Sequence, residues 1–273
     1  MSLQSARTAD GTQIVYRVLP ANGDRPHLVL IHSLAMDHSF WDPVTELLSD
    51  KASILVFDCR GHGASGKPPG PFTVELFARD LADMLSHVGW PSALVGGASM
   101  GGCVALAFAA AYPERTDGLG LFDTTAWYGA DAPQQWAGRA DRALTAGFRD
   151  LVEFQTTRWF GDRFREEHPE VVQHCADVFL ASDPRAYAET CRMLGACDLR
   201  AALPRIRVPT RIVVGEEDYA TPVAMAEDLH AGLSGSSLTV VPTARHLTPL
   251  EVPQVVAAEL EALLVQAAAR AMS

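Results

Sequence analysis

The 273-residue sequence predicts an α/β fold: a mostly parallel sheet with helices on both faces and a helical cap inserted after the sixth strand. Three observations carry this expectation. Short apolar runs alternate with longer helical-looking stretches, as strands and crossover helices do. The runs are apolar throughout instead of alternating with polar residues, which is how strands buried on both faces read. Finally, residues 124–200 lack such runs altogether.

Taken in order, two alternating runs near residues 3–8 and 13–19 flank "ADGTQ", whose Asp10-Gly11 pair predicts a hairpin between antiparallel strands. After "PANGDRP" come "HLVLIH", "SILVFD", "SALVGG" and "DGLGLFD", all compact enough for strands. Between them "TVELFARDLADMLSHVG" and "MGGCVALAFAAAYPER" read as helices. Beyond Asp123 the chain turns helical, with Trp127, Trp136, Trp159 and many arginines. The strand pattern resumes in "VPTRIVVGEEDYATP", continues through a helix near 223–233 and the strand "SLTVVP", and ends in a helix from Pro253. The expected division is therefore one α/β core from residues 1–123 and 201–273, with residues 124–200 as a helical cap.

Composition narrows the function. Hydrophobic residues make up 48% and charged residues 20%, ordinary values for an ordered globular chain. A formal net charge of -11 offers no basic footprint for nucleic acid or an anionic membrane surface. No apolar run approaches the roughly 20 residues that span a bilayer, and "MSLQSARTADGTQ" lacks the regions of a signal peptide, so a cytoplasmic location is expected. The five cysteines are scattered without the paired spacing of a zinc site or redox pair. Cys103, one turn after Ser99, reads as a small core residue.

The stretch "GGASMGG" matches G-x-S-x-G at Gly97-Ala98-Ser99-Met100-Gly101, between an apparent strand and an apparent helix. A sharp strand-to-helix turn would strain Ser99, expose its hydroxyl and require small neighbours where strand and helix pass closely. The Met100 N–H, free at the helix start, would face a developing oxyanion. The second oxyanion donor is expected from "LIHSLAMDHSFW", at the Leu34 N–H. A serine hydroxyl needs a base, and the base an orienting acid. His246 in "PTARHLTPLEVP" and Asp218 in "GEEDYATP" follow the nucleophile in the order this turn requires, each in a loop leaving a strand. Asp123, ending "DGLGLFD" at the same sheet edge, is the rival acid. His32 and His62 read as turn residues. One competing motif, "GHGASGK" at residues 61–67, matches the start of a phosphate-binding P-loop, but Pro68 and Pro69 replace the hydroxyl and the helix that would follow. No metal-binding motif or dinucleotide fingerprint is present, and neither cofactor nor metal is expected.

Through the "HSL" loop, "FDCRGHGASG", "GGASMGG", "GEED" and "ARH", the chain resembles the α/β-hydrolase fold family over essentially its full length. Within that family it is most similar to the 3-oxoadipate enol-lactonases, on "HSLAMDHSFWDP", "TTAWYG", "RWFGDRF", "DVFLASDPRAYAETC", "DLRAALPRIRVPT" and "HLTPLEVP". The resemblance implies hydrolysis of a small carboxylate-bearing lactone in bacterial aromatic breakdown. It departs where the lactonases tend to read Asn-Ser-Leu-Gly against His32-Ser33-Leu34-Ala35 here, and asparagine against Asp123. A substrate carboxylate would need a cation, and Arg158, beside Trp159, is the expected one among Arg139, Arg142, Arg158, Arg163, Arg165 and Arg192. Trp127, Trp136 and Trp159 would line an apolar pocket or hold the cap together. The same triad would also serve a carboxylesterase or a carbon–carbon bond hydrolase, and a ligand receptor could keep the pocket without the chemistry.

Overall fold

Residues 2–23 and 25–271 are described by the computed structural model of the chain. The apolar runs pair into one eight-stranded sheet: β1 (Gln4–Arg7), β2 (Gln13–Leu19), β3 (His27–Ile31), β4 (Ser53–Phe57), β5 (Ala93–Ala98), β6 (Thr116–Phe122), β7 (Thr210–Gly215) and β8 (Ser237–Val241). Their spatial order is β1-β2-β4-β3-β5-β6-β7-β8. The β1–β2 and β2–β4 pairs are antiparallel and the remaining pairs parallel. The order reverses at β3, which lies between β4 and β5, and a crevice opens at such a point beyond the C-terminal ends of the strands.

The helices are α1 (Asp42–Leu47), α2 (Val74–His87), α3 (Met100–Ala111), α4 (Ala132–Thr145), α5 (Arg149–Trp159), α6 (Asp162–Glu167), α7 (Pro169–Leu180), α8 (Pro184–Ala196), α9 (Val223–Gly232), α10 (Thr248–Glu251) and α11 (Pro253–Ala271). Every residue of β5 is buried, because α3 packs on one face of the central strands and α11 on the other. The pleat separates these contacts. A Cβ on Gly96 would point toward Leu260 of α11, and one on Gly97 would meet the α3 backbone. Thr73 starts α2 by accepting a hydrogen bond from the Leu76 N–H, satisfying one donor of the first turn.

Between β6 and β7 the chain forms α4 to α8 and no strand among the described residues. Helices α4 and α8 pack on each other. An antiparallel bridge between Trp127 and Asp198, with Leu199 N–H donating to Ala126 O at 2.9 Å, ties the outgoing and returning chain at the neck of this segment. Among the described residues no helix is long and apolar enough to cross a membrane.

Candidate active site

The strand-to-helix turn between β5 and α3 holds Ser99 at φ 51°, ψ −114°, a region that side chains rarely adopt. Glycine makes the turn possible through close approach: a Cβ on Gly97 would lie 2.1 Å from Gly101 O, and one on Gly101 would lie 2.2 Å from Ile31 O. Ser99 N–H donates to Phe122 O at 2.9 Å, and its carbonyl accepts the Thr124 hydroxyl at 2.7 Å. The strained residue is thus fixed from the neighbouring strand, as a stored conformation must be.

Three loops converge on its hydroxyl. The His246 Nε2 lies 2.9 Å from Ser99 Oγ, and His246 Nδ1 lies 2.8 Å from Asp218 Oδ2. Asp218 also accepts from the Ala220 and Thr221 N–H groups at 2.7 and 2.9 Å and from the Thr221 hydroxyl at 2.9 Å. Burial pushes the Asp218 carboxyl up, but His246 and these donors outweigh it and hold the group below the usual carboxylate range. An ionised Asp218 fixes the proton on Nδ1 and leaves Nε2 to accept the serine proton.

Asp123 is placed differently from Asp218. Its Oδ1 accepts from Gly215 N–H at 3.1 Å, and its Oδ2 meets the Thr248 N–H at 2.8 Å and hydroxyl at 2.7 Å. It touches the acid loop and the histidine loop without bonding to the imidazole. Burial, followed by the charge of Asp218, pushes its carboxyl well above the ordinary value.

The Leu34 N–H lies in a turn closed by Met36 N–H donating to Ser33 O at 3.1 Å, with Ala35 at φ 58°. A glycine would occupy that left-handed position freely; an alanine costs about 1 kcal/mol there. Met100 begins α3, where the first N–H groups have no partner within the helix. Among the described residues neither amide donates to a protein acceptor, so both are available to an oxyanion.

A cavity of about 430 Å³ opens over Ser99. Leu34, Tyr128, Trp136, Arg139, Arg158, Trp159 and His246 are among the residues that line it. Trp127 does not, contrary to expectation. Its ring lies under the Arg200 guanidinium at 3.6 Å in a separate recess, because the bridge to Asp198 turns it away and gives the inward position to Tyr128. Arg158 reaches the cavity, but its Nη2 donates to Tyr219 O at 2.5 Å and its guanidinium lies beside the Phe154 and Tyr219 rings. Arg139 was the less obvious choice. Its guanidinium lies 5.1 Å from the Trp136 ring and 5.7 Å from the Tyr187 ring, and its Nε donates to the Tyr187 hydroxyl at 2.6 Å. No carboxylate among the described residues pairs with it; the nearby Asp141 pairs with Arg192. A half-buried guanidinium without a counter-ion, facing a cavity, has the chemistry to receive an anion there. The only sequence signal for it was position: Arg139 falls three residues after Trp136, on the same helical face.

The remaining motifs are structural. His32 accepts the Cys59 N–H on Nε2 at 3.0 Å and bonds Ser33 O through Nδ1 at 2.7 Å, joining the loops after β3 and β4. His62 bonds Arg60 O at 3.0 Å. In the Gly61–Lys67 loop the lysine Nζ donates to Gly63 O and Ser65 O, spending its charge on the loop itself. Asp37, His38 and Asp58 bring possible metal-ligand atoms within 4.8 Å of one another. Asp58 there accepts from His38 Nδ1 and from the His38 and Ala64 amides, so its oxygens already serve protein donors.

The family model of the α/β-hydrolase fold matches residues 26–253. The chain is 32% identical over 241 residues to 3-oxoadipate enol-lactonase 2 of Acinetobacter baylyi, covering 88% of this chain and 89% of that one. It is 28% identical to the pimeloyl-[acyl-carrier protein] methyl ester esterase of Nitrosomonas europaea, covering 86% and 94%. Among solved structures, the enol-lactonase from Burkholderia xenovorans LB400 superposes with a TM-score of 0.92 at 32% identity, covering 96% of this chain and 100% of that one.

Proposed function

The chain belongs to the α/β-hydrolase fold family, and from that premise we propose that it is a serine hydrolase that opens a small carboxylate-bearing lactone, 3-oxoadipate enol-lactone or a near analogue, in aromatic catabolism. The observation that carries the proposal is the hydrogen-bonded line Ser99–His246–Asp218 on the floor of a cavity that also holds the unpaired Arg139. The similarity to two proteins named as enol-lactonases supports the choice of substrate.

In this reading Ser99 Oγ attacks the lactone carbonyl while His246 Nε2 takes its proton, and ionised Asp218 stabilises the resulting imidazolium. The Leu34 and Met100 amides receive the oxyanion, each donor contributing about 3 kcal/mol to the transition state. The ring C–O bond then breaks, and His246 returns the proton to the departing enol oxygen. Water, deprotonated by the same histidine, hydrolyses the acyl-enzyme. Arg139 holds the free carboxylate, and Trp136 and Trp159 supply apolar walls. These steps use the chain's own groups and call for no cofactor or metal.

The test is a substrate panel of 3-oxoadipate enol-lactone, simple lactones, short nitrophenyl esters and a ring-fission diketone. The enol-lactone should have the highest kcat/KM, and Ser99→Ala should abolish turnover while leaving the fold intact. An enol-lactone turned over no faster than a nitrophenyl ester would remove the lactonase assignment; substantial hydrolysis by Ser99→Ala would remove the serine mechanism.

A further inference from the structure

Departure of an enolate or alkoxide from a tetrahedral intermediate is difficult because these oxygens are strongly basic, and a donor aimed at the leaving oxygen lowers that barrier. His246 is one such donor. A second borders the same cavity as the nucleophile. Tyr128 lies in the segment between β6 and α4, adjacent to Trp127, and lines the cavity together with Ser99 and His246. Its backbone lies at the neck of the cap, where the Thr125 hydroxyl bonds the Trp127 N–H and carbonyl at 3.2 and 2.9 Å. Its ring meets Trp136 edge-on at 5.3 Å.

The phenol oxygen lies 3.8 Å from Cys103 Sγ, on the turn of α3 that follows Ser99, in the cavity that Ser99 and His246 also line. A thiol sulfur is a weak acceptor, so the contact leaves the phenol O–H able to turn to a better one. The other donors of the site have tasks in the proposed reaction: the Leu34 and Met100 amides, without a protein acceptor among the described residues, are assigned to the oxyanion, and Arg139 lies over Trp136 and Tyr187. We propose that the Tyr128 hydroxyl is a catalytic donor to the leaving-group oxygen, assisting His246 in acylation. Burial pushes the phenol well above its ordinary value, so it keeps its proton throughout the neutral range. In the step itself the Ser99 Oγ–carbon bond forms and the carbon–leaving oxygen bond breaks. The serine proton passes through His246 to that oxygen, and Tyr128 donates a hydrogen bond without losing its proton.

This inference rests on the serine-hydrolase reading but not on the identity of the lactone. The test compares wild type and Tyr128→Phe by kcat/KM, which reports acylation, on esters of one acyl group with leaving groups from nitrophenol to an aliphatic alcohol, and on the enol-lactone. Nitrophenolate departs unaided. The variant should therefore retain nitrophenyl ester activity within about threefold, which also reports an intact fold, and lose about 10- to 100-fold on the aliphatic ester and the lactone, equivalent to about 1.4 kcal/mol per tenfold. An equal loss on all leaving groups would place the hydroxyl at the oxyanion and overturn the proposal; so would no loss on any. If the variant unfolds, fluorotyrosine at position 128 replaces it: a more acidic phenol should speed only the poor leaving groups, and a uniform or absent effect overturns the proposal. A wild-type chain inactive on every ester would instead defeat the serine-hydrolase reading before any variant is made.

Discussion

Replacing Arg139 by methionine separates binding from folding. The side chain keeps much of its length but loses the charge. In the structure Nε is committed to Tyr187, leaving the two terminal amino groups for a ligand. Two charge-assisted hydrogen bonds contribute about 1.5 kcal/mol each in net terms. Their loss should lower kcat/KM for the carboxylate-bearing lactone on the order of 100-fold, at about 1.4 kcal/mol per tenfold. The effect should fall chiefly on KM, because the carboxylate is bound alike in ground and transition states. A neutral nitrophenyl acetate should be hydrolysed within about threefold of the wild-type rate, as it makes no such contact. Stability provides the second arm. Deleting one partner of a buried ion pair costs about 3–5 kcal/mol, but Arg139 has no carboxylate partner, so urea unfolding of Arg139→Met should lose only about 1–3 kcal/mol, the cost of a buried Tyr187 hydroxyl left without its donor. Equal losses on charged and neutral substrates would refute the assignment of Arg139 as a ligand-binding cation.

Other outcomes follow from packing and charge. Gly97→Ala and Gly101→Ala each drive a Cβ into backbone at 2.1 and 2.2 Å, whereas Gly96→Ala meets only the end of the Leu30 side chain at 2.7 Å. The first two should lose activity and at least about 3 kcal/mol in denaturant unfolding, and Gly96→Ala about 1 kcal/mol; equal losses at all three would contradict the close-approach argument. Burial, and next the charge of His32, depress buried His62 to about 3 in the folded chain. An unfolded histidine titrates near ~6.5, so the unfolded state binds the extra proton between these values. Stability from His62 is complete above that window and is lost as pH falls through it, by up to about 1.4 kcal/mol per pH unit. Urea unfolding from pH 7 to 5 should show a shallower slope in His62→Gln; an unchanged slope would show that His62 is not held neutral. Asp123→Asn leaves only one acceptor oxygen for the Gly215 and Thr248 N–H groups, which should cost about 1–3 kcal/mol and lower kcat more than it raises KM. Stability within error of wild type would show that this carboxyl does not fasten the two loops.

Much of the molecule was legible in the chain because its determinants are local. Apolar runs, the Asp10-Gly11 turn, the Thr73 cap and the glycines around Ser99 act within a few residues of where they stand, so strands, helices and the nucleophile turn could be read in order. The choice among partners could not be. Asp123 and Asp218 both end strands at one sheet edge, and only the donors that meet them after folding distinguish them: two amides and a hydroxyl fasten Asp123, and the imidazole meets Asp218. Adjacent Trp127 and Tyr128 are both aromatic, and the long-range bridge to Asp198 sends the first outward and the second over Ser99. Arg139 and Arg158 have the same charge in neighbouring helices, yet Arg158 binds a carbonyl of the acid loop and Arg139 keeps its terminal amino groups for the cavity. The sequence by itself determined the elements, the strained serine and the loops that carry its partners. Tertiary structure decided which acid meets His246 and which rings and cations line the cavity over Ser99, because the direction of a side chain depends on contacts between segments far apart in the chain.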